Sequence, residues 1–325
     1  MENNAMKTIG VLTSGGDAPG MNAAIRAVVR AGCELGMTVY GINRGYNGLM
    51  ENDMVKMGLR DVSDIINRGG TILRSARSDR FKTEDGMQAA LRTCRERGID
   101  GVVVIGGDGS FRGARDLSLH GIPCVALPGT IDNDIGCCDY TIGYDTALNT
   151  IMQMVDRIRD TTESHDRCAV VEVMGRGAGY LALNAGIACG ATSILIPEIE
   201  YDFDRDVIQR MVRTQRSGKV HFVIIVSEAI GGVEEMAKRI QKETGVESRA
   251  TILGHVQRGG SPTVKDRLVA SQMGHKAVEL LSQGIGNRIV AMQNEKIYDC
   301  DISEALTMKS SVDLDLYKVA MDISI

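Results

Sequence analysis

Thr130, Asp132 and Asp134 follow one another within five residues, directly after the apolar run Cys124 to Leu127 and the Pro128-Gly129 pair that ends it. The run reads as a buried strand. A hydroxyl and two carboxylates at the carboxyl end of a strand stand where open α/β sheets place their ligands. Carboxylates there can hold Mg²⁺ or take a proton from a nucleophile. Asp and Asn also favour turns through local hydrogen bonds, so the stretch alone reads equally as an acidic turn.

The other strand ends repeat the pattern. Thr8 to Leu12 is strand-like and ends in Thr13-Ser-Gly-Gly-Asp-Ala-Pro-Gly20. A helix from Met21 to Arg30 follows, with Met21, Ile25, Val28 and Val29 on its apolar face. Amides of such a loop and helix start point at anions. The loop is neither G-x-x-x-x-G-K-[ST] nor G-x-G-x-x-G. The strand Gly101 to Ile105 ends in Gly106-Gly-Asp-Gly-Ser110, whose glycines let a ligand approach the backbone closely around Asp108. The strand Ala169 to Val173 ends in Met174-Gly-Arg-Gly-Ala-Gly179. His221 to Ser227 is a strand ending at Glu228, and Arg249 to His255 a strand running into Gln257-Arg-Gly-Gly-Ser-Pro262.

Collected, these ends carry Gly15, Gly16, Asp17, Asp108, Thr130, Asp132 and Asp134, then Arg176, Glu228, Arg249, His255 and Arg258. Arg77 and Arg167 stand in nearby loops. Acidic groups dominate the first half and basic groups the second. That division suits a Mg²⁺-nucleotide on one side and an anionic substrate on the other, as phosphoryl transfer requires. Any single Arg reads equally as a surface ion pair, and His255 as a structural histidine. Their recurrence at glycine-marked strand ends favours a site.

Helices and strands must alternate to place these ends together. The spacing predicts further strands over Val39 to Ile42 and Ser193 to Ile196, and a short helix over Val62 to Ile66. It also predicts helices over Thr83 to Arg97, Phe111 to Leu119, Tyr144 to Arg159, Glu234 to Thr244 and Asp266 to Leu281. The tail Met308 to Ile325 is left unassigned. Alternation of this kind means parallel, doubly wound sheets. A length of 325 residues suggests two domains or one large α/β domain. With no Pro/Ser-rich linker, a second sheet is expected to begin near residue 144. Arg26 and Arg30, four apart, share a helix face, as a solvated surface pair also would.

Composition narrows the classes. Hydrophobic residues make up 43% and charged residues 24%, as in soluble globular proteins. There is no Trp and only four Phe, so the core is aliphatic with Met as filler. A net charge of −5 argues against general nucleic-acid binding, yet local Arg clusters still suit small anions. The eight cysteines form no C-x-x-C and no paired zinc spacing, as expected of reduced structural thiols. The first residues hold no apolar signal core, and no apolar run nears the roughly 20 residues that span a bilayer. The expected compartment is cytoplasmic.

The longest motifs carry a specific resemblance. Thr13-Ser-Gly-Gly-Asp-Ala-Pro-Gly-Met-Asn-Ala-Ala-Ile-Arg26, Gly106-Gly-Asp-Gly-Ser110, Pro128-Gly-Thr-Ile-Asp-Asn-Asp-Ile135, Val173-Met-Gly-Arg176 and Gly254-His-Val-Gln-Arg-Gly-Gly-Ser-Pro262 resemble the bacterial ATP-dependent 6-phosphofructokinases, from about Lys7 to the C-terminal region. The resemblance implies two doubly wound, Rossmann-like α/β domains with mainly parallel sheets. An ATP-binding domain would take residues 1–143 and 257–307, and a sugar-phosphate domain 144–256 and 308–325. It implies MgATP-dependent phosphorylation of the C1 hydroxyl of fructose 6-phosphate by a homotetramer.

Carried over by position, Asp132 would be the base and Thr130 would hold the transferring phosphoryl, with Arg77 and Arg176 neutralising its charge. Asp108 would bind Mg²⁺, with Asp134 assisting. Gly15, Tyr46, Arg77, Ser78, Gly107, Asp108, Gly109 and Ser110 would line the ATP site. Met174, Gly175, Arg176, Glu228, His255 and Arg258 would hold the sugar phosphate, and Arg167 and Arg249 would reach it from a neighbouring subunit. Pyrophosphate-using relatives typically carry Asp and Lys where this chain has Gly109 and Gly129, so both positions favour ATP. Arg26, Arg30, Asp64, Arg159, Lys219 and His221 match the family's effector site for ADP and phosphoenolpyruvate. Thr192, Ser217, Val220 and Leu59 replace charged residues common there, which implies weakened effector control. Other readings are a pyrophosphate-dependent enzyme and a non-catalytic nucleotide-sensing subunit. The complete set Asp108, Thr130, Asp132 and Arg176 disfavours the latter. A dinucleotide oxidoreductase lacks its fingerprint.

Overall fold

A computed structural model describes residues 6–324. The chain divides into two compact units. One takes the chain through Ile131, Ile135–Thr146 and Arg258–Ser310; the other takes Asp132–Asp134, Ala147–Gln257 and the chain from Ser311.

The first stretch runs β1 (Thr8–Ser14), α1 (Met21–Glu34), β2 (Thr38–Ile42), α2 (Tyr46–Glu51), β3 (Met54–Met57), α3 (Glu84–Arg97), β4 (Gly101–Gly106), α4 (Asp108–Leu119) and β5 (Cys124–Pro128). Then come α5 (Tyr144–Ser164), β6 (Cys168–Val173), α6 (Tyr180–Ala188), β7 (Ser193–Leu195), α7 (Arg210–Arg216), β8 (Phe222–Ser227), α8 (Val233–Thr244) and β9 (Ser248–Ile252). The chain closes with α9 (Val264–Ser282), β10 (Arg288–Gln293), β11 (Lys296–Asp301), α10 (Ile302–Ala305) and α11 (Leu314–Ile323).

In the first unit seven strands lie in the order β11-β10-β5-β4-β1-β2-β3. The pairs are parallel except at the two edges, β2–β3 and β10–β11. Every residue of β4 and β5 is buried, which is why these strands are continuous apolar runs rather than alternating ones. Register then sets function. Ser14 stands level with Gly106, and Gly106 with Pro128, so β1, β4 and β5 end on one line. In the second unit four parallel strands lie in the order β7-β8-β6-β9. Val173 is level with Ser227, so β6 and β8 also end together. Its core packs Cys168, Val170, Phe222, Ile224 and Ile240.

Several expected elements differ. Val62 to Ile66 is a chain of turns, because Asp64 takes a left-handed φ of 55° and the Asp61 carboxylate binds the Gly58 amide at 2.7 Å. The helix expected from Phe111 starts at Asp108, since the Ser110 and Phe111 amides already reach the Gly107 carbonyl. The helix from Tyr144 runs on to Ser164, and the second sheet begins only at Cys168. The expected strand Arg249 to His255 stops at Ile252, and Gly254, with φ of 58°, opens a 3-10 turn to Arg258. The unassigned tail holds α11, capped by the Asp313 carboxylate, which accepts from the Asp315 and Leu316 amides. The β10–β11 hairpin turns on Asn294 and Glu295, both at positive φ, without the Asn-Gly pair that marks such turns in sequence.

Candidate active site

The first unit gathers its glycine ends around Ser110. The Ser110 hydroxyl donates to the Ser14 carbonyl at 3.1 Å, tying α4 to β1. A Cβ at Gly106 would meet that same carbonyl at 2.4 Å, so only glycine lets the strand ends approach so closely. Gly15 sits at φ 88° with the Ser110 hydroxyl beside it, and Gly107 faces the Thr130 side chain. Asp108 opens α4, and its partly exposed carboxylate pairs with Arg112, one turn on, at 3.0 Å. A Cβ on Gly109 would meet nothing within 4 Å. Gly129 is tighter, with Ile105 and Met21 at 3.0 and 3.1 Å from such a Cβ.

The loop that carries Arg77 and Ser78 is fastened to this edge. The Ser75 hydroxyl donates to the Gly15 carbonyl at 2.7 Å, and the Thr13 hydroxyl to the Arg74 carbonyl at 2.8 Å. Arg77 itself is exposed. Tyr46 is buried, stacks on Phe81 at 4.0 Å and donates to the Ser110 carbonyl at 2.6 Å. Burial pushes its hydroxyl well above the ordinary range, so it remains a donor that props the first turn of α4. Arg258 also belongs to this unit. Its guanidinium donates to the Asp17 carbonyl at 3.2 Å and lies against Gly16.

Thr130 is held from behind. The Thr141 hydroxyl donates to the Thr130 carbonyl at 2.6 Å, and the Ile142 amide to the Pro128 carbonyl at 2.8 Å. The returning segment is clamped by the fully buried Asp266, which accepts from the Tyr140 hydroxyl at 2.6 Å, the Gly143 amide at 2.7 Å, and the amide and hydroxyl of Thr146. Thr130 and Asp132 are themselves buried, at 8% and 5% exposure.

In the second unit the turn after β6 is built on Glu228. One Glu228 carboxylate oxygen accepts from the Gly175 and Arg176 amides at 3.1 and 2.5 Å. Gly175 at φ 143° takes a conformation open to glycine, while Arg176 at φ 57° is a non-glycine residue in the left-handed region and needs such support. The buried Gln257 accepts from the Met174 amide at 3.0 Å and donates to the Gly254 carbonyl at 2.9 Å. The Arg176 guanidinium extends toward the Asp134 carboxylate at 3.9 Å. Arg167 and Arg249 share one carboxylate, Glu247, at 3.0 and 2.7 Å. The two guanidiniums, Arg167 first, hold the Glu247 carboxyl below its usual range. His255 is exposed on the 3-10 turn.

A glycine edge with an accessible carboxylate suits a nucleotide's phosphates, and a turn presenting Arg176 suits a second anion; Arg167 and Arg249 stand at the other end of β6 and β9 and are not brought to that turn. Comparison with known proteins decides the family. The phosphofructokinase family model matches residues 8–281. The chain belongs to the phosphofructokinase family.

Its relatives include an ATP-dependent 6-phosphofructokinase of Clostridium botulinum, 55% identical over 98% of this chain and 100% of that one. Another from Clostridioides difficile is 54% identical over the same shares. Among solved structures, phosphofructokinase from Saccharomyces cerevisiae superposes with a TM-score of 0.88 at 35% identity. That match covers 98% of this chain and 48% of the yeast chain.

The residues matched to the family's effector site fall in both units. On α1, Arg26 and Arg30 are half-buried, and burial, then Arg30, lowers the Arg26 guanidinium's pKa. Asp64 is exposed in the turn chain. In the second unit the Lys219 ammonium donates to the Thr192 hydroxyl at 3.2 Å. Burial, then Arg159 and Arg210, lowers its pKa. Arg159 donates to the Cys189 carbonyl, and His221 is half-buried one residue before β8. Arg210 escaped sequence reasoning. It donates to the Thr192 carbonyl at 2.7 Å, to the Met321 carbonyl in the last turn of α11 and to the Ser324 hydroxyl just after it, pairings with no local signal. Gln257, Thr141 and Asp266 were missed for the same reason.

Proposed function

We propose that this chain transfers the γ-phosphoryl group of MgATP to the C1 hydroxyl of fructose 6-phosphate, forming fructose 1,6-bisphosphate, the committed step of glycolysis. One observation carries the reading: β1, β4 and β5 end level, each followed by glycine, with Asp108 and Thr130 delivered at that edge. The relatives named above, ATP-dependent 6-phosphofructokinases matched end to end, supply the substrate pair.

In this reading Asp132 takes the proton of the attacking hydroxyl. In a loose transition state that proton leaves late, so an ordinary carboxylate suffices. Thr130 holds the transferring phosphoryl, and Arg77 and Arg176 offset its charge. Gly15, Tyr46, Ser78, Gly107, Gly109 and Ser110 shape the ATP site, Tyr46 from beneath through Ser110. The open space at Gly109 leaves room for the nucleotide's inner phosphates, which an Asp there would crowd and repel.

Mg²⁺ fits the donor set. It keeps several waters and commonly uses one or two carboxylates plus substrate phosphates, and Asp108 offers an accessible hard oxygen at a helix start, with Asp134 as the second ligand. When bound, the ion neutralises charge on the phosphates.

Met174, Gly175, Arg176, Glu228, His255 and Arg258 hold the sugar phosphate. Arg167 and Arg249 serve a neighbouring subunit of a homotetramer. Residues 1–143 with 257–307 form the ATP-binding domain, and 144–256 with 308–325 the sugar-phosphate domain. Arg26, Arg30, Asp64, Arg159, Lys219 and His221 bind ADP or phosphoenolpyruvate, weakly because Thr192, Ser217 and Val220 replace charged groups. We assign the enzyme to the cytoplasm; among the described residues no helix is long and apolar enough to cross a membrane.

The test is fructose 1,6-bisphosphate formation with ATP and with pyrophosphate in parallel, plus and minus Mg²⁺. Turnover with MgATP alone is expected. Turnover with pyrophosphate would overturn the donor argument, and none with either would return the nucleotide-sensing subunit.

A further inference from the structure

A cluster of sulfur stands apart from the residues assigned above. Cys300 lies on the edge strand β11 opposite Ile289, two residues after Tyr298 and so on the same face. The loop Gly136–Asp139 runs along this ribbon and is fastened to it. The Asp139 amide donates to the Met292 carbonyl at 2.9 Å, the Asn294 amide to the Asp139 carboxylate at 2.8 Å, and the Tyr298 hydroxyl to the Cys137 carbonyl. This lashing sets Cys137 against the stretch of β11 that carries Tyr298 and Cys300, and each of the two thiols is the leading influence on the other's titration.

The two thiols differ in kind. Cys137 is buried at 3% exposure, and Cys300 and burial push its pKa up. Cys300 is half-buried, and its pKa moves down. Cys137 stabilises its thiolate first, then the Tyr298 hydroxyl and the Arg288 charge, against the effect of burial. Cys94, Cys124, Cys138, Cys168 and Cys189 are buried and move up. Cys138, though adjacent, is engaged elsewhere: its thiol donates to the Tyr140 carbonyl at 2.9 Å and accepts the Met292 amide at 3.4 Å.

We propose that Cys300 and Cys137 form a redox-sensitive thiol pair that a hydroperoxide converts to a disulfide, Cys300 attacking first and Cys137 resolving. The Cys300 thiolate attacks the terminal peroxide oxygen. The O–O bond breaks, the alkoxide or hydroxide leaves with a proton, and Cys300 becomes a sulfenic acid. The Cys137 sulfur then attacks the sulfenic sulfur, the S–O bond breaks and water leaves. Two thiols lose two hydrogens and two electrons, and the peroxide is reduced to an alcohol, or to water from hydrogen peroxide, plus one water. A thiolate beside a resolving cysteine is the arrangement such chemistry selects.

The experiment treats the full chain with hydrogen peroxide at increasing ratio, alkylates the remaining thiols and maps the peptides. The first product expected is the Cys137–Cys300 cross-link, with two of the eight thiols lost and both recovered with a dithiol reductant. Cys300→Ser should abolish the cross-link. Cys137→Ser should leave Cys300 as a sulfenic acid that dimedone traps, and Cys138→Ser should change nothing in the map. A first cross-link through Cys138, no cross-link in the unaltered chain, or oxidation of Cys300 no faster than of Cys94 and Cys168 would each overturn the proposal. The unaltered chain decides these outcomes even where a variant fails to fold.

Discussion

The Thr141 hydroxyl donates to the carbonyl of Thr130 across eleven residues, at 2.6 Å and fully buried. Thr130 thus keeps its place because the chain returns behind it. Thr141→Val preserves shape and removes the donor, leaving a buried carbonyl one partner short. The expected cost is about 1 to 3 kcal/mol of stability, read by thermal or urea unfolding. A fall in kcat with little change in the KM for ATP would accompany it. An unchanged kcat would mean that the Thr130 backbone is held well enough without this bond.

Asp132→Asn separates chemistry from binding. General-base removal typically lowers kcat by about 10² to 10⁴. The KM values for ATP and fructose 6-phosphate should move far less. Steady-state kinetics with both substrates varied checks this, and a change confined to KM would remove Asp132 from the role of base.

Glu228 shapes the Gly175–Arg176 turn through one oxygen. Glu228→Gln keeps an acceptor and loses the charge that strengthens both bonds. About a tenfold rise in the KM for fructose 6-phosphate is expected, with the KM for ATP unmoved. Equal rises in both would point to a general loss of fold.

Gly109→Asp tests the donor. The position has open space for a side chain, so the variant should fold with its melting temperature unchanged. MgATP turnover should nonetheless fall at least about tenfold, the effect of roughly 1.4 kcal/mol of repulsion. Retained ATP turnover would free position 109 from any part in donor choice. Gly129→Lys is a poorer probe, because its packing against Ile105 and Met21 must first give way.

Lys219 carries a pH signature. Its pKa in the folded chain lies below the unfolded value, first through burial and then through Arg159 and Arg210. The folded state therefore binds fewer protons between those two values, and stability rises with pH across that window. Below it the charged ammonium is a standing cost. Lys219→Met should stabilise the protein at neutral pH, by less than about 1 kcal/mol because Lys219 is half-exposed and screened. The gain should shrink as pH approaches about 10.4, and the response to ADP or phosphoenolpyruvate should weaken. Melting curves across pH read the first effect; a destabilised variant at neutral pH would reverse the sign of the argument.

Much of the fold was legible because buried parallel strands are continuous apolar runs and their ends are marked by glycine. Val102 to Ile105 and Cys124 to Leu127 needed no partner to be recognised. What escaped was held by distant contacts. Asp266 read as a helix start, yet its buried carboxylate organises Tyr140 to Thr146, some 120 residues earlier in sequence. Arg258 read as a residue of a strand end, and nothing local announced that its guanidinium would reach the Asp17 carbonyl and lie against Gly16. The sharing of Glu247 by Arg167 and Arg249 depends on the pairing of β6 with β9. No spacing rule reports a register between strands so far apart.

The division of the chain has a consequence for how this protein can be rearranged. Asp132–Asp134 belongs with one unit while Ile131 and Ile135, its immediate neighbours, belong with the other, and each unit is assembled from three pieces of chain. A single recombination crossover cannot exchange either unit intact. A fragment expressed from Ala147 to Gln257 would lack both that tripeptide and α11. Chimeras between relatives should therefore survive only when all the pieces of a unit are swapped together, and the unit of inheritance for this architecture is the whole chain.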